Sequence, residues 1–258
     1  MDINANGQRV IITAGAGGIG KVTAETFLQN GAKVFISDVD EAALSAMAKA
    51  YPTMGTARCD VSDVKQVDTM FDAALKFLGG LDTMINNAGI AGPTAKVEDV
   101  TPADWDKTIA VNLNGSFYCT RRAVPELKKS GGGSIVNLSS SAGRLGFPLR
   151  TPYSSAKFAL VGFTESLAME LGPDNIRVNC IQPGIVAGER IDRVIDAKAK
   201  SFGKSFEDYR DRLLSNVSMR RMVSAQDIAN TILFLCSDAG KNISGQAVPV
   251  CGNVETLG

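Results

Sequence analysis

The stretch VIITAGAGGIG, residues Val10–Gly20, decides the fold of this chain. A β-branched apolar run leads into a glycine-dense turn, and a helical pattern follows the turn. A bound phosphate needs bare backbone N–H groups at a helix N-terminus, where side chains would block its approach. The glycines satisfy the GxGxxG spacing, which is weak evidence alone because a tight turn also explains it, but the strand–turn–helix context favours a phosphate site. The residues expected to contact the phosphates are Gly15, Gly17, Gly18 and Ile19.

Short apolar runs alternate with longer helical patterns along the rest of the chain, as expected for strands that helices cover on both faces. This alternation predicts an α/β fold: a single-domain, Rossmann-like, doubly wound parallel sheet of about seven strands flanked by helices, over residues 1–258. The predicted strands are Arg9–Thr13, Lys33–Asp38, Gly55–Cys59, Thr83–Asn86, Ser134–Ser139, Arg177–Ile181 and Ala247–Val250. The predicted helices include Ile19–Gln29, Glu41–Tyr51, Val64–Phe77, Trp105–Glu126, Ser155–Leu171 and Ile228–Cys236.

One segment, residues 187–221, interrupts the alternation because it contains no strand pattern. It follows the predicted sixth strand and therefore leaves the sheet at the edge where open α/β sheets bind ligands. We expect one or two helices here that act as a lid over a substrate. A purely structural insertion is the alternative.

Composition excludes several classes of function. The 258 residues carry 27 basic and 27 acidic side chains, and this zero net charge argues against binding to nucleic acid or to an anionic membrane. The absence of histidine excludes imidazole chemistry and His-ligated metal sites. The five cysteines lack CxxC spacing and are expected to be buried apolar residues, without metal or disulfides. With no signal-peptide pattern and no long apolar run, we expect a cytoplasmic protein.

Asp38 is the first acidic residue after the predicted second strand, eighteen residues beyond Gly20. A carboxylate at this place accepts hydrogen bonds from both ribose hydroxyls of an adenosine and repels a 2′-phosphate. No lysine or arginine lies between Gly15 and Gly20 or next to Asp38 to bind such a phosphate instead. NAD is therefore the predicted cofactor, in preference to NADP. The alternative is that Asp38 only caps the helix that begins near Glu41.

Tyr153 and Lys157 are four residues apart in a helical pattern and thus share one helix face. A phenol has a pKa of about 10, and a neighbouring ammonium stabilises the phenolate and lowers that pKa. The pair is suited to exchange a proton with an alcohol or carbonyl compound, although YxxxK alone is a weak signal. The hydroxyl-rich end of the strand Ser134–Ser139, continuing to Ser141, is expected at the same edge of the sheet.

Several motifs in fixed order resemble the classical short-chain dehydrogenase/reductase family over almost the whole chain. The turn before Gly20 is similar to that family's TGxxxGxG, with Ala14 in place of its first glycine. Gly188 stands where the family often has a threonine that contacts the nicotinamide amide. The other matching positions are Asp60 with Val61, Asn86–Gly89 (NNAG), Asn112 (in VNLNG), Ser140, Tyr153 with Lys157 (YxxxK) and Pro183-Gly184.

The resemblance implies an NAD-dependent oxidoreductase that transfers hydride between a secondary alcohol, or a sugar or other hydroxy compound, and nicotinamide. It implies catalytic roles for Asn112, Ser140, Tyr153 and Lys157, with Ser140 and Tyr153 also contacting the substrate. Further cofactor contacts are implied for Asp60, Val61, Asn87, Val186, Tyr153 and Lys157. A 3-oxoacyl thioester reductase-like enzyme, an extended-branch epimerase and a catalytically silent NAD-binding regulator are the alternatives; the complete catalytic set argues against the regulator.

The substrate is predicted to be a small molecule, and four arginines lie in segments that could border its pocket: Arg144, Arg150, Arg190 and Arg193. Arg190 and Arg193 are our candidates for contact with an anionic group, because a guanidinium fork suits such a group. Solvated surface is the simpler explanation for all four. The family resemblance also implies a homotetramer, and the apolar residues expected on its exposed helical faces are Phe117, Val124, Leu160 and Phe163.

Overall fold

The computed structural model of the chain describes residues 3–257, apart from the side chain of Arg190. All seven strands of its sheet are parallel, in the order β3-β2-β1-β4-β5-β6-β7. The strands are β1 (Arg9–Thr13), β2 (Lys33–Asp38), β3 (Gly55–Arg58), β4 (Thr83–Asn86), β5 (Gly133–Leu138), β6 (Ile176–Pro183) and β7 (Ala247–Val250). This arrangement confirms the predicted α/β fold with its doubly wound parallel sheet.

The helices have well-defined starts. Thr101 accepts a hydrogen bond from the Asp104 backbone N–H and is followed by a proline in the first turn, and Ser224 forms a reciprocal capping box with Asp227. The helices are α1 (Gly18–Gln29), α2 (Glu41–Ala50), α3 (Val64–Leu78), α4 (Pro102–Ile109), α5 (Gly115–Lys129), α6 (Thr151–Leu171), α7 (Glu189–Ser201), α8 (Phe206–Ser215) and α9 (Ala225–Cys236).

The predicted helix Trp105–Glu126 is not one uniform α-helix. A wider π-helical turn, Ala110–Asn114, separates α4 from α5. Such turns insert one extra residue into the helical repeat and are frequent at functional sites. The turn contains the candidate residue Asn112, so the interruption of the helix coincides with a predicted site residue.

Two hydrophobic cores cover the two faces of the sheet. Neighbouring residues on β1 belong to different cores: Ile12 packs with Phe27 of α1 and Ile232 of α9, whereas Ile11 packs with Phe71 of α3. Successive side chains of a strand point to opposite faces, so a strand buried on both sides has to be apolar throughout. This burial explains the continuous apolar run that made β1 recognisable.

A third core belongs to the segment after β6. Ile195 of α7 and Leu213 of α8 pack with Ile185 and with the C-terminal Val254 and Leu257. The segment 187–221 therefore contains two helices, as expected. Whether it moves as a lid stays a prediction.

Burial corrects one residue of the predicted oligomer face. Leu160 is only 1% exposed and packs inside the protein, so its assignment to an exposed face is wrong. Phe117 is 48% exposed, whereas Val124 and Phe163 are partly buried.

The five cysteines are buried free thiols. Within residues 3–257, none of the helices combines the length and the hydrophobicity that a membrane crossing requires.

Candidate active site

A cavity of about 610 Å³ opens at the carboxyl ends of the strands, beside the neighbouring strands β1 and β4. The direction of winding reverses between these two strands, and open α/β sheets bind ligands at this reversal. The cavity extends from the glycine turn to α7 and α8. The predicted site residues that line it are Gly17, Gly18, Ile19, Asp38, Asn87, Ser140, Tyr153, Lys157, Val186 and Arg193.

The glycine turn presents bare backbone to the cavity. A Cβ atom added at Gly17 or Gly18 would meet no heavy atom within 4 Å, so the space above both residues is open. Helix α1 begins at Gly18 without any side-chain cap, which leaves its first N–H groups available to a ligand. This open, uncapped helix start fits the pyrophosphate of a dinucleotide.

Gly15 packs against the sheet, and its contact with a phosphate stays a prediction. It lies outside the cavity lining, and a Cβ atom there would come 2.6 Å from the Ile36 side chain on β2. Its glycine is therefore required for close packing of the turn on the sheet. Asn87 closes the same turn by donating from Nδ2 to the carbonyl oxygens of Thr13 and Ala14, each at 3.0 Å. Asn87 thus reaches the cavity while its amide nitrogen holds the turn.

Asp38 ends β2 with its carboxylate at the cavity. Its Oδ2 accepts a hydrogen bond from the Ala16 N–H at 3.1 Å, and its Oδ1 accepts one from the Asp40 N–H at 3.2 Å. The cap of α2 is Asp40, which accepts from the Ala43 N–H at 2.9 Å. The alternative in which Asp38 caps this helix is therefore wrong, and Asp38 is held next to the phosphate turn.

Asp60 and Val61 do not line the cavity. The Asp60 carboxylate accepts hydrogen bonds from the backbone and hydroxyl of Ser62, at 2.9 Å and 2.7 Å. The Val61 side chain is buried against Gly115, and a Cβ atom added to Gly115 would lie 2.6 Å from Val61 Cγ2. Both residues shape the loop after β3, and their contact with an adenine stays a prediction.

Tyr153 and Lys157 lie one turn apart at the start of α6, with Pro152 in the first turn of that helix. The Lys157 Nζ donates to the Leu138 carbonyl oxygen at 2.5 Å and lies 5.7 Å from the centroid of the Tyr153 ring. Lys157 is only 3% exposed, so its ammonium is fixed between the end of β5 and the phenol. The predicted shared face is thus formed inside the cavity.

The three serines after β5 have different partners. Ser139 donates to the Lys157 carbonyl oxygen at 2.8 Å, and Ser141 donates to the Pro183 carbonyl oxygen at 3.2 Å. The Ser140 Oγ accepts from the Ala142 N–H at 3.1 Å. The Ser140 hydroxyl therefore keeps its proton available for a substrate oxygen, whereas its two neighbours donate to the backbone.

Asn112 is fully buried and lies behind the cavity rather than in its lining. Its side chain pairs with the backbone of Ile90, accepting at 2.9 Å and donating at 3.0 Å. A Cβ atom on Gly89 would lie 2.6 Å from Asn112 Oδ1 and 3.5 Å from Lys157 Nζ, so these two polar groups flank the same glycine. The π-helical turn thus places the Asn112 amide beside the lysine.

Val186 is one of the residues that line the cavity. Val186 forms a parallel bridge with Val223, in which Ala187 N–H donates to Val223 and the Ile185 carbonyl accepts from it. In such a bridge the peptide groups of the central residue point to the opposite side. Val186 thus offers one donor and one acceptor, the pair that a carboxamide requires.

The structure changes the set of basic residues near the substrate end. The Arg193 side chain is 74% exposed and lies 3.8 Å from Glu189, so solvated surface describes it better than a buried anion contact. The side chain of Arg190 lies outside the described part of the chain. Arg144 donates to the Val254 carbonyl oxygen at 3.0 Å and braces the C-terminal segment.

Two other basic side chains are inside the cavity. Arg150 and Lys198 line it, and both are 2% exposed. Lys198 was missed from the sequence, yet it lies on the apolar face of α7, seven residues after Ile191 and three residues after Ile195, both of which pack inward. A lysine in register with buried apolar positions of an amphipathic helix is the signal that could have found it.

Comparison with known proteins identifies the family. The model of a family described as enoyl-(acyl carrier protein) reductase matches residues 14–253. The chain is 35% identical to an uncharacterized oxidoreductase of Thermotoga maritima over 97% of this chain and 98% of that protein. It belongs to the classical short-chain dehydrogenase/reductase family.

Solved structures of other dehydrogenases and reductases share the fold of this short-chain dehydrogenase/reductase. NAD⁺-bound xylitol dehydrogenase has a TM-score of 0.93 at 28% identity, covering 96% of this chain and 99% of that one. A variant of actinorhodin polyketide ketoreductase with NADPH has a TM-score of 0.92 at 27% identity, covering 96% and 97%. The protein is therefore an oxidoreductase that acts on hydroxy or keto groups with a nicotinamide cofactor.

Proposed function

We propose that this protein is an NAD-dependent dehydrogenase of a secondary alcohol or related hydroxy compound, able to act in reverse as a ketone reductase. The observation that carries this proposal is one continuous cavity lined by the open glycine turn, Asp38, Ser140, Tyr153 and Lys157. The cavity thus connects the open glycine turn with the Tyr153 phenol and the Ser140 hydroxyl. A test is the near-ultraviolet absorbance of reduced nicotinamide during incubation with NAD and a panel of secondary alcohols, sugars and hydroxy acids.

The roles follow from where each group lies. The bound nicotinamide supplies the hydride acceptor. Tyr153 takes the hydroxyl proton of the substrate as the C–H bond breaks, and Ser140 donates a hydrogen bond to the same oxygen. Lys157 stabilises the phenolate and binds the ribose next to the nicotinamide. Asn112 holds Ile90 and Gly89 behind the lysine and is proposed to position a water that links Lys157 to solvent.

NAD is proposed over NADP because of Asp38. Its carboxylate is held beside the phosphate turn by the Ala16 N–H. Among residues 3–257, no lysine or arginine is paired with it to offset a further phosphate on the ribose. A 2′-phosphate would meet an anion, whereas a 2′-hydroxyl would find an acceptor. Xylitol dehydrogenase, which was solved with NAD⁺, is compatible with this choice.

We also propose that residues 187–221 form a lid on one catalytic domain. Its helices contribute Ile191, Val194, Ile195, Tyr209 and Leu213 to the cavity wall. Gly188, with φ of +138°, and Gly203, with φ of +62°, provide permissive backbone at the start of the segment and between its helices. Closure would exclude water from the reacting atoms.

Self-association of the family type is proposed through the flanking helices α4, α5 and α6. Their surfaces leave large apolar side chains in solvent, and groups of these commonly mark an interface. The exposed residues are Trp105, Phe117, Phe158 and Met169. Light scattering at micromolar concentration is expected to give a tetramer, and a particle of 27.2 kDa would contradict the proposal.

A further inference from the structure

Lys198 is a buried cation in the wall of the cavity. It projects from α7, is 2% exposed, and places its Nζ 3.9 Å from the centroid of the Phe147 ring. Its neighbour Lys200, by contrast, is an ordinary surface residue whose side chain is 74% exposed and lies 2.6 Å from Asp196. Of the two lysines, only Lys198 faces the cavity.

Arg150 also approaches the Phe147 ring and lines the same cavity. Its guanidinium carbon lies 5.4 Å from the Phe147 centroid and 5.2 Å from the centroid of the Tyr153 ring. An Arg150 Nη also donates to the Ala91 carbonyl oxygen. Arg150 is the N-cap residue of α6, three residues before Tyr153, so this cation is fixed relative to the proposed proton acceptor.

The two cations are close enough to repel each other. Burial, together with the smaller effect of the Arg150 charge, lowers the pKa of Lys198 to about 8. Within residues 3–257, no carboxylate lies at ion-pair distance from Lys198; the acidic residues of the cavity wall are Asp38, at the nucleotide end, and Glu189, whose side chain is 92% exposed. A buried ammonium with no carboxylate at ion-pair distance and a like charge nearby is costly unless a ligand of opposite charge compensates it.

A packing role alone does not account for this pair. Contact with the Phe147 ring is favourable to a cation, but a methionine or leucine at position 198 would fill the same wall without desolvating an ammonium. Perturbed titratable groups that line a cleft are characteristic of functional sites. The charge itself is therefore what the cavity uses.

We propose that Arg150 and Lys198 bind an anionic group of the substrate: a carboxylate, sulfonate or phosphate carried within a few bonds of the reacting carbinol carbon. This inference rests on the proposed function, since the distance limit comes from the placement of Arg150 beside Tyr153. A guanidinium fork with an adjacent ammonium suits an oxyanion with several acceptor atoms. The substrate is thus a hydroxy acid, a hydroxysulfonate or a hydroxyalkyl phosphate.

Binding is tested without turnover. Inorganic sulfate, inorganic phosphate and propionate are titrated calorimetrically into the NADH-loaded protein, so that the pyrophosphate cradle is already filled. At least one anion is expected to bind, with affinity reduced about tenfold or more in Lys198→Met and retained in Lys198→Arg. Lys200→Met removes the same charge outside the cavity and is expected to leave binding unchanged. No anion binding to the wild type, or equal binding to Lys198→Met, would overturn the proposal.

Thermal unfolding separates a ligand-binding lysine from a structural one. Removing a buried, uncompensated charge is expected to leave the melting temperature of Lys198→Met unchanged or raised. A lysine that held α7 in place would give a lower melting temperature instead, and that result would count against the proposal.

Turnover then identifies the anion and keeps this inference apart from the proposed function. Matched pairs are 3-hydroxybutyrate with its methyl ester, 2-hydroxypropanesulfonate with 2-propanol, and glycerol 3-phosphate with glycerol. The anionic member of one pair is expected to have the higher kcat/KM, and Lys198→Met to abolish this preference through KM while NADH binding is kept. Preference for the neutral members refutes the anion site and leaves the dehydrogenase intact. Anion binding without hydride transfer from any compound refutes the dehydrogenase and leaves the anion site intact.

Discussion

The nucleotide end and the substrate end of the cavity are built by different means. At the nucleotide end the cavity wall includes bare backbone, with open space above Gly17 and Gly18, and Asp38 is its main charged group. At the substrate end the wall consists of side chains, above all Phe147, Arg150 and Lys198, which belong to two separate segments of the chain. Binding at the nucleotide end depends on the close approach of a phosphate to the start of a helix. Binding at the substrate end depends on charged side chains that are shielded from solvent.

This difference separates a feature that suits dinucleotides in general from a feature that is particular to the substrate of this protein. A backbone cradle accepts any dinucleotide of the right shape, and a single carboxylate then selects among them. Buried cations, in contrast, commit the substrate end to one class of ligand charge. Changes at the reacting centre, at each end of the cavity, in the lid and in the glycine turn are therefore expected to have effects of decreasing size.

The largest effect is expected where the two ends meet. Tyr153→Phe removes the proton-accepting hydroxyl and should lower kcat at least about a hundredfold, because general acid–base catalysis contributes this much or more. NADH binding, followed by fluorescence, should stay nearly unchanged. The control is Tyr118→Phe, which removes a hydroxyl next to Phe117 and outside the cavity lining. Retention of more than a few per cent of activity by Tyr153→Phe would show that another group moves the proton.

The preference of the nucleotide end for NAD over NADP is tested at its carboxylate, Asp38. Asp38→Ala combined with Val39→Arg should shift the ratio of kcat/KM for NAD to that for NADP by about tenfold or more toward NADP, since a repelling charge becomes an attractive one. Asp38→Asn is the matched control, because it keeps an acceptor for the Ala16 N–H and removes only the charge. Equal or better use of NADP by the wild type would contradict the assignment.

The substrate end should respond to pH through Lys198, whose pKa is lowered to about 8 by burial and by Arg150. Sulfate affinity of the NADH-loaded protein should be constant below this pH and fall by up to about tenfold per unit above it, as the ammonium is lost. Lys198→Arg should remove this dependence, since arginine stays protonated. The other ionisable residues of the cavity wall are Asp38, Arg150, Tyr153, Lys157, Glu189, Arg193 and Tyr209.

The same shift has a consequence for stability. The lysine of the unfolded chain keeps its proton up to a pH of about 10.4, so between the two pKa values unfolding takes up a proton. The contribution of Lys198 to the free energy of unfolding should therefore rise with pH over this window. Denaturant titrations at several pH values should show the rise in the wild type and its absence in Lys198→Met, and identical profiles would contradict a depressed pKa.

A smaller effect is expected in the proposed lid, residues 187–221. Amide hydrogen exchange in residues 187–221 should slow several-fold when NADH and an anionic substrate are bound together, because closure protects N–H groups that open locally in the free protein. Strands β1 and β4 serve as the internal reference, since their core positions are already buried. Equal, strong protection of the segment in both states would indicate a rigid insertion.

The sequence predicted the nucleotide end better than the substrate end, for a physical reason. The turn, Asp38 and the pair Tyr153–Lys157 are local patterns whose spacing alone sets their geometry. The pairing of Arg150 with Lys198 arises only when α7 packs over the loop before α6, and no local period encodes it. Local spacing failed at Leu160, whose burial depends on the neighbouring sheet.

The smallest effect concerns the turn that bears the cradle. Ala14 occupies the position of a family glycine and has φ of +50°, a left-handed conformation that its Cβ atom disfavours. Ala14→Gly relieves this strain and adds freedom to the unfolded chain, so a net stabilisation of up to about 1 kcal/mol is expected. Ala16→Gly is the control, because Ala16 lies in the same loop and does not have a positive φ, and it should not stabilise. Chemical denaturation measures both variants, and a loss of stability in Ala14→Gly would mean that the methyl group supports the turn rather than straining it.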